Sequence, residues 1–250
     1  MREKIMVEIC VGDLESALAA EQGGADRVEL CDNLSVGGTT PSAGSIAEAC
    51  RRQTIPVHVL IRPRAGDFVP SQAEQDAMRF DIDMARTLGA AGVVFGVLRP
   101  DGTIERDQIA ALVELARPMS VTFHKAFDQT PDPEQALETL IASGVDRVLT
   151  SGGRPTALEG LDTLRRLVEQ AGGRISILAG GRLSADNLET IIAATGVREV
   201  HFGSAVTRTL LGSMTIAPRD GSEVAWSGVD ADKVRAIVAM IERLNDSAPC

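Results

Sequence analysis

One short pattern recurs four times along the chain, and it limits what the chain can fold into. "GADRVELC" (24–31), "GAAGVVFG" (89–96), "GVDRVLTS" (144–151) and "GVREVHFG" (196–203) share one order. A glycine comes first, then a small apolar residue, two variable residues and a valine-centred strand. Each glycine closes a stretch of helical periodicity, such as "DLESALAAEQG" (13–23) or "PEQALETLIASG" (133–144). Glycine is the natural stop there, because a helix commonly ends in a left-handed residue. Four more strand candidates lie between these units: "IMVEIC" (5–10), "PVHVLIR" (56–62), "MSVTFHK" (119–125) and "RISILAG" (174–180). "VDADKVRAIVAMIERL" (229–244) supplies the last helix.

Eight strands, each followed by a helical pattern, require parallel strands joined by crossover helices. Eight such units in 250 residues match the size of a closed (β/α)8 TIM barrel. An open doubly wound sheet would carry a glycine-rich dinucleotide turn after an early strand, and "ICVGDLES" (9–16) contains no GxGxxG. The prediction is a single α/β TIM-barrel domain over 1–250, with 210–228 a long loop after the eighth strand.

Composition narrows the partners. Aromatics make up only 3% with no Tyr, so the core must rest on Val, Ile, Leu and Ala. The net charge is −10 and no Lys/Arg run interrupts it, which argues against nucleic acid. No window reaches ~18 uninterrupted apolar residues, so no membrane span is expected. "MREKIMVEIC" does not read as a signal peptide. The four cysteines form no CxxC and no regular framework, so a cytoplasmic protein with reduced thiols is expected. Cys50 reads as helix packing and Cys250 as a terminal residue.

Alternation along the strands then sorts the side chains. With Val7, Ile9, Val28 and Leu30 toward the helices, Glu8, Cys10, Glu29 and Cys31 face the lumen. The same phase turns in His58, Leu60 and Arg62 from the third strand, Thr122 and His124 from the fifth, and His201 from the eighth. Barrel interiors are normally filled with branched apolar residues, and active sites form at the strand C-terminal ends. Glu8, Glu29, Arg62 and His124 are therefore acid–base or orienting candidates, joined by Asp128 at the end of "VTFHKAFD" (121–128). A buried ion network that only fixes strand geometry is the plain alternative, and for the deep His58 it is preferred. Lys125 is expected to point away from the lumen. Cys10 and Cys31, on neighbouring strands, could clasp a soft ion such as Cu(I), or fill space as small buried thiols.

Three loops rich in small residues offer an anion site: "TSGG" (150–153), "AGGRL" (179–183) and "FGSA" (202–205). Barrels often hold a phosphate between the loops after strands 7 and 8. Ser151, Gly152, Gly180, Gly181, His201, Gly203 and Ser204 are the binding candidates. Arg64, in "IRPRAGDF" (61–68), could take a second negative group or pair with Asp67.

"VEIC", "GGADRVELC", "GGTTPS", "IRPRAGDF", "GVVFGVLRPDG", "VTFHKAFD" and "RVLTSGG" together resemble the CutC family, named for copper homeostasis, from residue 5 to about residue 205. The resemblance implies a TIM barrel, a cytoplasmic location and Cu(I) binding by the cysteines that match Cys10 and Cys31, with no organic cofactor. Lys125 stands where the family commonly has Arg, and "LAGGRL" and "HFGS" depart from its usual loops. Two functions follow. One is a copper-handling protein. The other is an isomerase, epimerase or lyase that acts by acid–base chemistry on a small anionic, sugar-like substrate. Homodimer formation is left open.

Overall fold

The computed structural model describes residues 4–211 and 225–247. Its centre is a closed barrel of eight parallel strands in chain order. They are β1 (Met6–Val11), β2 (Arg27–Leu30), β3 (Val57–Leu60), β4 (Gly92–Phe95), β5 (Ser120–Phe123), β6 (Arg147–Thr150), β7 (Ser176–Ala179) and β8 (Glu199–Phe202). Pairing of β1 with both β2 and β8 closes the ring. The outer layer is α1 (Leu14–Gln22), α2 (Ala43–Arg52), α3 (Gln72–Thr87), α4 (Arg106–Ala116), α5 (Pro133–Ala142), α6 (Leu161–Ala171), α7 (Leu188–Thr195) and α8 (Ala231–Ser247). Several helices begin where the sequence offers a cap. The Asp13 carboxylate accepts the Ser16 amide at 2.7 Å, Ser71 and Glu74 form a reciprocal capping box, and Asp132 caps a helix whose first residue is Pro133.

The recurring pattern now has a physical meaning. All four of its glycines, Gly24, Gly89, Gly144 and Gly196, have positive φ, the conformation that glycine adopts without steric cost. In the two GxDR copies the aspartate ties its strand to the preceding one. Asp26 Oδ2 accepts the Val7 amide at 2.9 Å, and Asp146 Oδ2 accepts the Val121 amide at 2.7 Å. The arginine that follows turns into the barrel.

The predicted alternation holds. Val7, Ile9, Val28, Val59, Val121, Phe123, Val200 and Phe202 pack into the layer between barrel and helices. Cys31, Leu60 and Val94, with Cys10 against them, form a small separate apolar cluster inside the lumen. The segment after β8 is not simply a loop. Its ends form an antiparallel pair, β9 (Thr207–Leu211) and β10 (Ala225–Val229), in register from Thr207 opposite Val229 to Leu211 opposite Ala225. The centre of that segment and Cys250 lie outside the described residues. The last helix starts at Ala231 rather than 229 because Val229 still belongs to β10, while Asp230 accepts the Asp232 amide at 3.0 Å. Cys50 packs against the helical layer as expected.

Candidate functional site

The lumen has a floor and a mouth. At the floor, near the N-terminal ends of the strands, Arg27 donates from Nε to Glu8 at 2.5 Å and from Nη2 to Glu199 at 2.7 Å. Arg147 Nε reaches the same Glu199 oxygen at 2.5 Å, and Ser176 donates to the other oxygen of Glu199 at 2.5 Å. Two guanidiniums thus face two carboxylates, all nearly inaccessible to solvent. Burial alone would raise the Glu8 pKa, but Arg27 and then His201 hold it well below the usual carboxylate range. Glu8 is therefore committed to this network and does not itself line the mouth. His58 is also structural. Its ring lies over Gly92, where a Cβ would come within 2.5 Å of Nε2, and burial pushes its pKa down to about 3. The ring is neutral, as its deep position predicts.

One link joins floor to mouth. The second oxygen of Glu8 lies 2.7 Å from His201 Nδ1, so Nδ1 carries a proton and donates it. Nε2 then lies 3.8 Å from Glu29, with the ring against the Cys10 thiol. Burial would lower the pKa of His201, but Cys10, Glu8 and Glu29 together raise it well above its ordinary value. The Cys10 and Cys31 sulfurs stand 3.8 Å apart. The contact with Cys31 outweighs burial and, with His201, brings Cys10 down to about 5. Cys31 moves well up, because its contact with Cys10 and its burial both favour the protonated thiol. Burial, then the charge of Cys10, also raises Glu29. The four groups thus shift together: Cys10 downward and His201 upward, each toward its charged form, and Cys31 and Glu29 upward, toward the neutral one.

Above it opens a cavity of about 820 Å³. Cys10, Glu29, Cys31 and His201 line one part. Arg62, Phe68, His124 and Lys125 line another, and Gly203, Ser204 and Trp226 add to the rim. Arg62 Cζ sits 5.0 Å from the Phe68 ring centre, and the rings of Phe68 and His124 are 4.7 Å apart. The presence of Lys125 corrects the strand-phase reading. β5 ends at Phe123 and the chain turns into a 3-10 helix at Lys125–Gln129, so alternation no longer governs that side chain.

Several expected residues serve the scaffold instead. Asp128 braces a loop. Its oxygens accept from Thr150 Oγ1 at 2.5 Å, from the Ser151 amide and hydroxyl, and from the Gly153 amide at 3.0 Å, locking the loop after β6. Ser151 is fully buried, with its hydroxyl oxygen also 2.5 Å from the Arg154 carbonyl. Gly152 packs on Gly160, leaving no room for a Cβ. The Gly180 amide is spent on the Thr150 carbonyl at 2.9 Å, and Gly181 lies over Ser151. Arg64 turns outward to Asp67 at 3.0 Å and Glu74 at 2.6 Å. None of these lines the cavity; of the expected anion loops, only Gly203 and Ser204 do. The floor residues Arg27, Arg147 and Glu199 were missed, although the same alternation that turned Glu29 and His201 inward extends to them.

The family model for the CutC family matches residues 5–206. The chain belongs to the CutC family. It is 49% identical over 203 residues to the human protein named copper homeostasis protein cutC homolog, covering 81% of this chain and 74% of that one. Identity to a CutC family protein of Chromobacterium violaceum is 45%, over 95% of this chain and 98% of the relative. Among solved structures, a CutC from Streptococcus agalactiae aligns with a TM-score of 0.76 at 37% identity, over 80% of this chain and 98% of that one. Phosphoribosylanthranilate isomerase from Pyrococcus furiosus aligns with a TM-score of 0.60 at 16% identity, which is a likeness of fold alone.

Proposed function

We propose that this protein takes part in copper homeostasis by holding one Cu(I) ion between Cys10 and Cys31 as cargo. The observation that carries the reading is the 3.8 Å spacing of two free thiols at the base of an open cavity. Soft thiolates favour Cu(I) over harder ions. With a metal–sulfur length of about 2.3 Å, this spacing gives a bent S–metal–S angle of roughly 110°. A bent pair leaves room for a third ligand. The ligand atoms of Cys10, Glu29 and Cys31 lie within 4.8 Å of one another, and His201 stands beside them. Cys10 is already disposed to be a thiolate, whereas Cys31 must lose its proton on binding, so affinity should rise with pH. The reading needs a reducing compartment such as the cytoplasm. Among the described residues, no helix is long and apolar enough to cross a membrane.

Anaerobic Cu(I) competition titration of the reduced protein tests the proposal, run beside Cys10→Ser/Cys31→Ser. One tight equivalent that the double variant loses supports it. Equal uptake by both proteins, or none beyond that of stray thiols, sinks it.

A further inference from the structure

Copper at the thiols would use one part of the mouth. A cavity of about 820 Å³ falls within the roughly 300–1,000 Å³ of sites for small organic molecules, far more than one ion needs. The other polar groups in it sit on the ends of β3 and β5, and β5 lies across the closed ring from β1. They have unmet needs of their own.

Arg62 is 8% exposed. Its Nη1 donates to the carbonyls of Gly38 at 2.8 Å and Val36 at 3.3 Å, and its Nη2 to that of Gly66 at 2.8 Å. Its Nε–H is buried without a partner. Among the described residues no carboxylate lies within ion-pair distance, so this buried cation is held by carbonyl dipoles and the face of the Phe68 ring, with no opposite charge. Such a charge is costly unless an anion compensates it. Lys125 Nζ reaches only Asp128, at 3.8 Å, and the oxygens of that carboxylate already accept four shorter hydrogen bonds. The cationic side of the mouth is therefore short of negative charge.

His124 adds a directed neutral donor. Its Nδ1 accepts the Ala126 amide at 3.2 Å. That bond requires a lone pair on Nδ1, which puts the single ring proton on Nε2. Nε2 has no hydrogen-bond partner among the described residues, and the ring lines the cavity. Gly96 makes its seat, since a Cβ there would come within 2.6 Å of Cε1 and Nδ1. Burial and the nearby Arg62 charge keep the ring neutral, with a pKa of about 3. Leu60, Phe68 and Leu149 supply apolar surface around these groups.

We infer that the mouth also binds a small organic anion in which a carboxylate or phosphate lies within a few atoms of a carbonyl oxygen. The anionic group answers Arg62 and Lys125, the carbonyl accepts from His124 Nε2–H, and the carbon skeleton rests on Phe68. This site does not depend on the copper reading.

Calorimetric titration of the reduced, copper-free protein tests the inference. The probes are 2-oxoglutarate for the carboxylate class and dihydroxyacetone phosphate for the phosphate class, with inorganic phosphate and neutral dihydroxyacetone as controls. The expected result is that one anionic carbonyl probe binds with a Kd below about 1 mM and more tightly than either control. Lys125→Met and His124→Gln should each weaken it about tenfold or more, with the Cu(I) titration unchanged. Arg62→Met should do the same; because Arg62 ties three backbone carbonyls and that variant could misfold, the exposed Lys125 carries the decision. Failure of both probes to bind, equal binding to the Lys125 and His124 variants, or inorganic phosphate binding as tightly as dihydroxyacetone phosphate would each overturn the inference.

Discussion

At the floor of the barrel, Arg27 and Arg147 meet Glu8 and Glu199, and each charge has an opposite one at 2.5–2.7 Å. At the mouth, Arg62 meets only carbonyls and the Phe68 ring, Lys125 shares an occupied carboxylate, and Cys10 and His201 stand beside Cys31 and Glu29. Both ends bury ionisable side chains in the same closed ring. What differs is compensation. A network whose members satisfy one another has little left to offer a ligand, and it fixes strand geometry. A set of charges and donors with partners missing is what a binding site looks like before its ligand arrives.

That contrast predicts opposite costs for substitutions at the two ends. Arg27→Met leaves Glu8 and Glu199 buried with a lost partner and should cost about 3–5 kcal/mol in urea unfolding; a loss below about 1 kcal/mol would erase the distinction. Cys10→Ser/Cys31→Ser should cut Cu(I) affinity by at least about a hundredfold, while lowering unfolding free energy by no more than about 1 kcal/mol. Next comes pH. His58 and His124 are both depressed to about 3 from near 6.5 in the unfolded chain, so the unfolded state takes up protons first. Their contribution to stability is complete above the unfolded value and drains away as pH falls toward 3. The urea midpoint should therefore drop between pH 6.5 and 4, and His124→Gln should lessen the slope by up to about 1.4 kcal/mol per pH unit. Smallest of all, Lys125→Met should change stability by less than about 0.5 kcal/mol; a larger loss in thermal unfolding would mean that its contact with Asp128 belongs to the scaffold.

The barrel was legible because its sequence signals are local. A glycine stop and a valine strand repeat within eight residues, and period-two alternation decides which side chains turn inward. That sufficed for Glu29, Cys31, Arg62, His124 and His201. It failed where the strand itself ended, as at Lys125, whose direction is set by a 3-10 turn. It failed again where a loop residue found its partner far along the chain. Asp128 binds the loop around Ser151, and Gly180 is bound by Thr150; no periodicity announces either pairing. The floor network fell between these cases. Arg27 and Arg147 occupy the same place in the repeated pattern, and their inward phase follows from Glu29 and Leu149, but only the register shows which carboxylates they meet.

Cys10 and Cys31 hang from adjacent strands whose backbones are hydrogen-bonded to each other, with the Cys31 amide on the Val11 carbonyl at 2.9 Å. No hinge separates them, so neither sulfur can be swung away on a moving loop. A metal ion gripped there could be handed on by exchange, as an incoming ligand enters through the cavity and replaces one thiolate and then the other. Transfer by that route would be second order, quickening with the concentration of the acceptor.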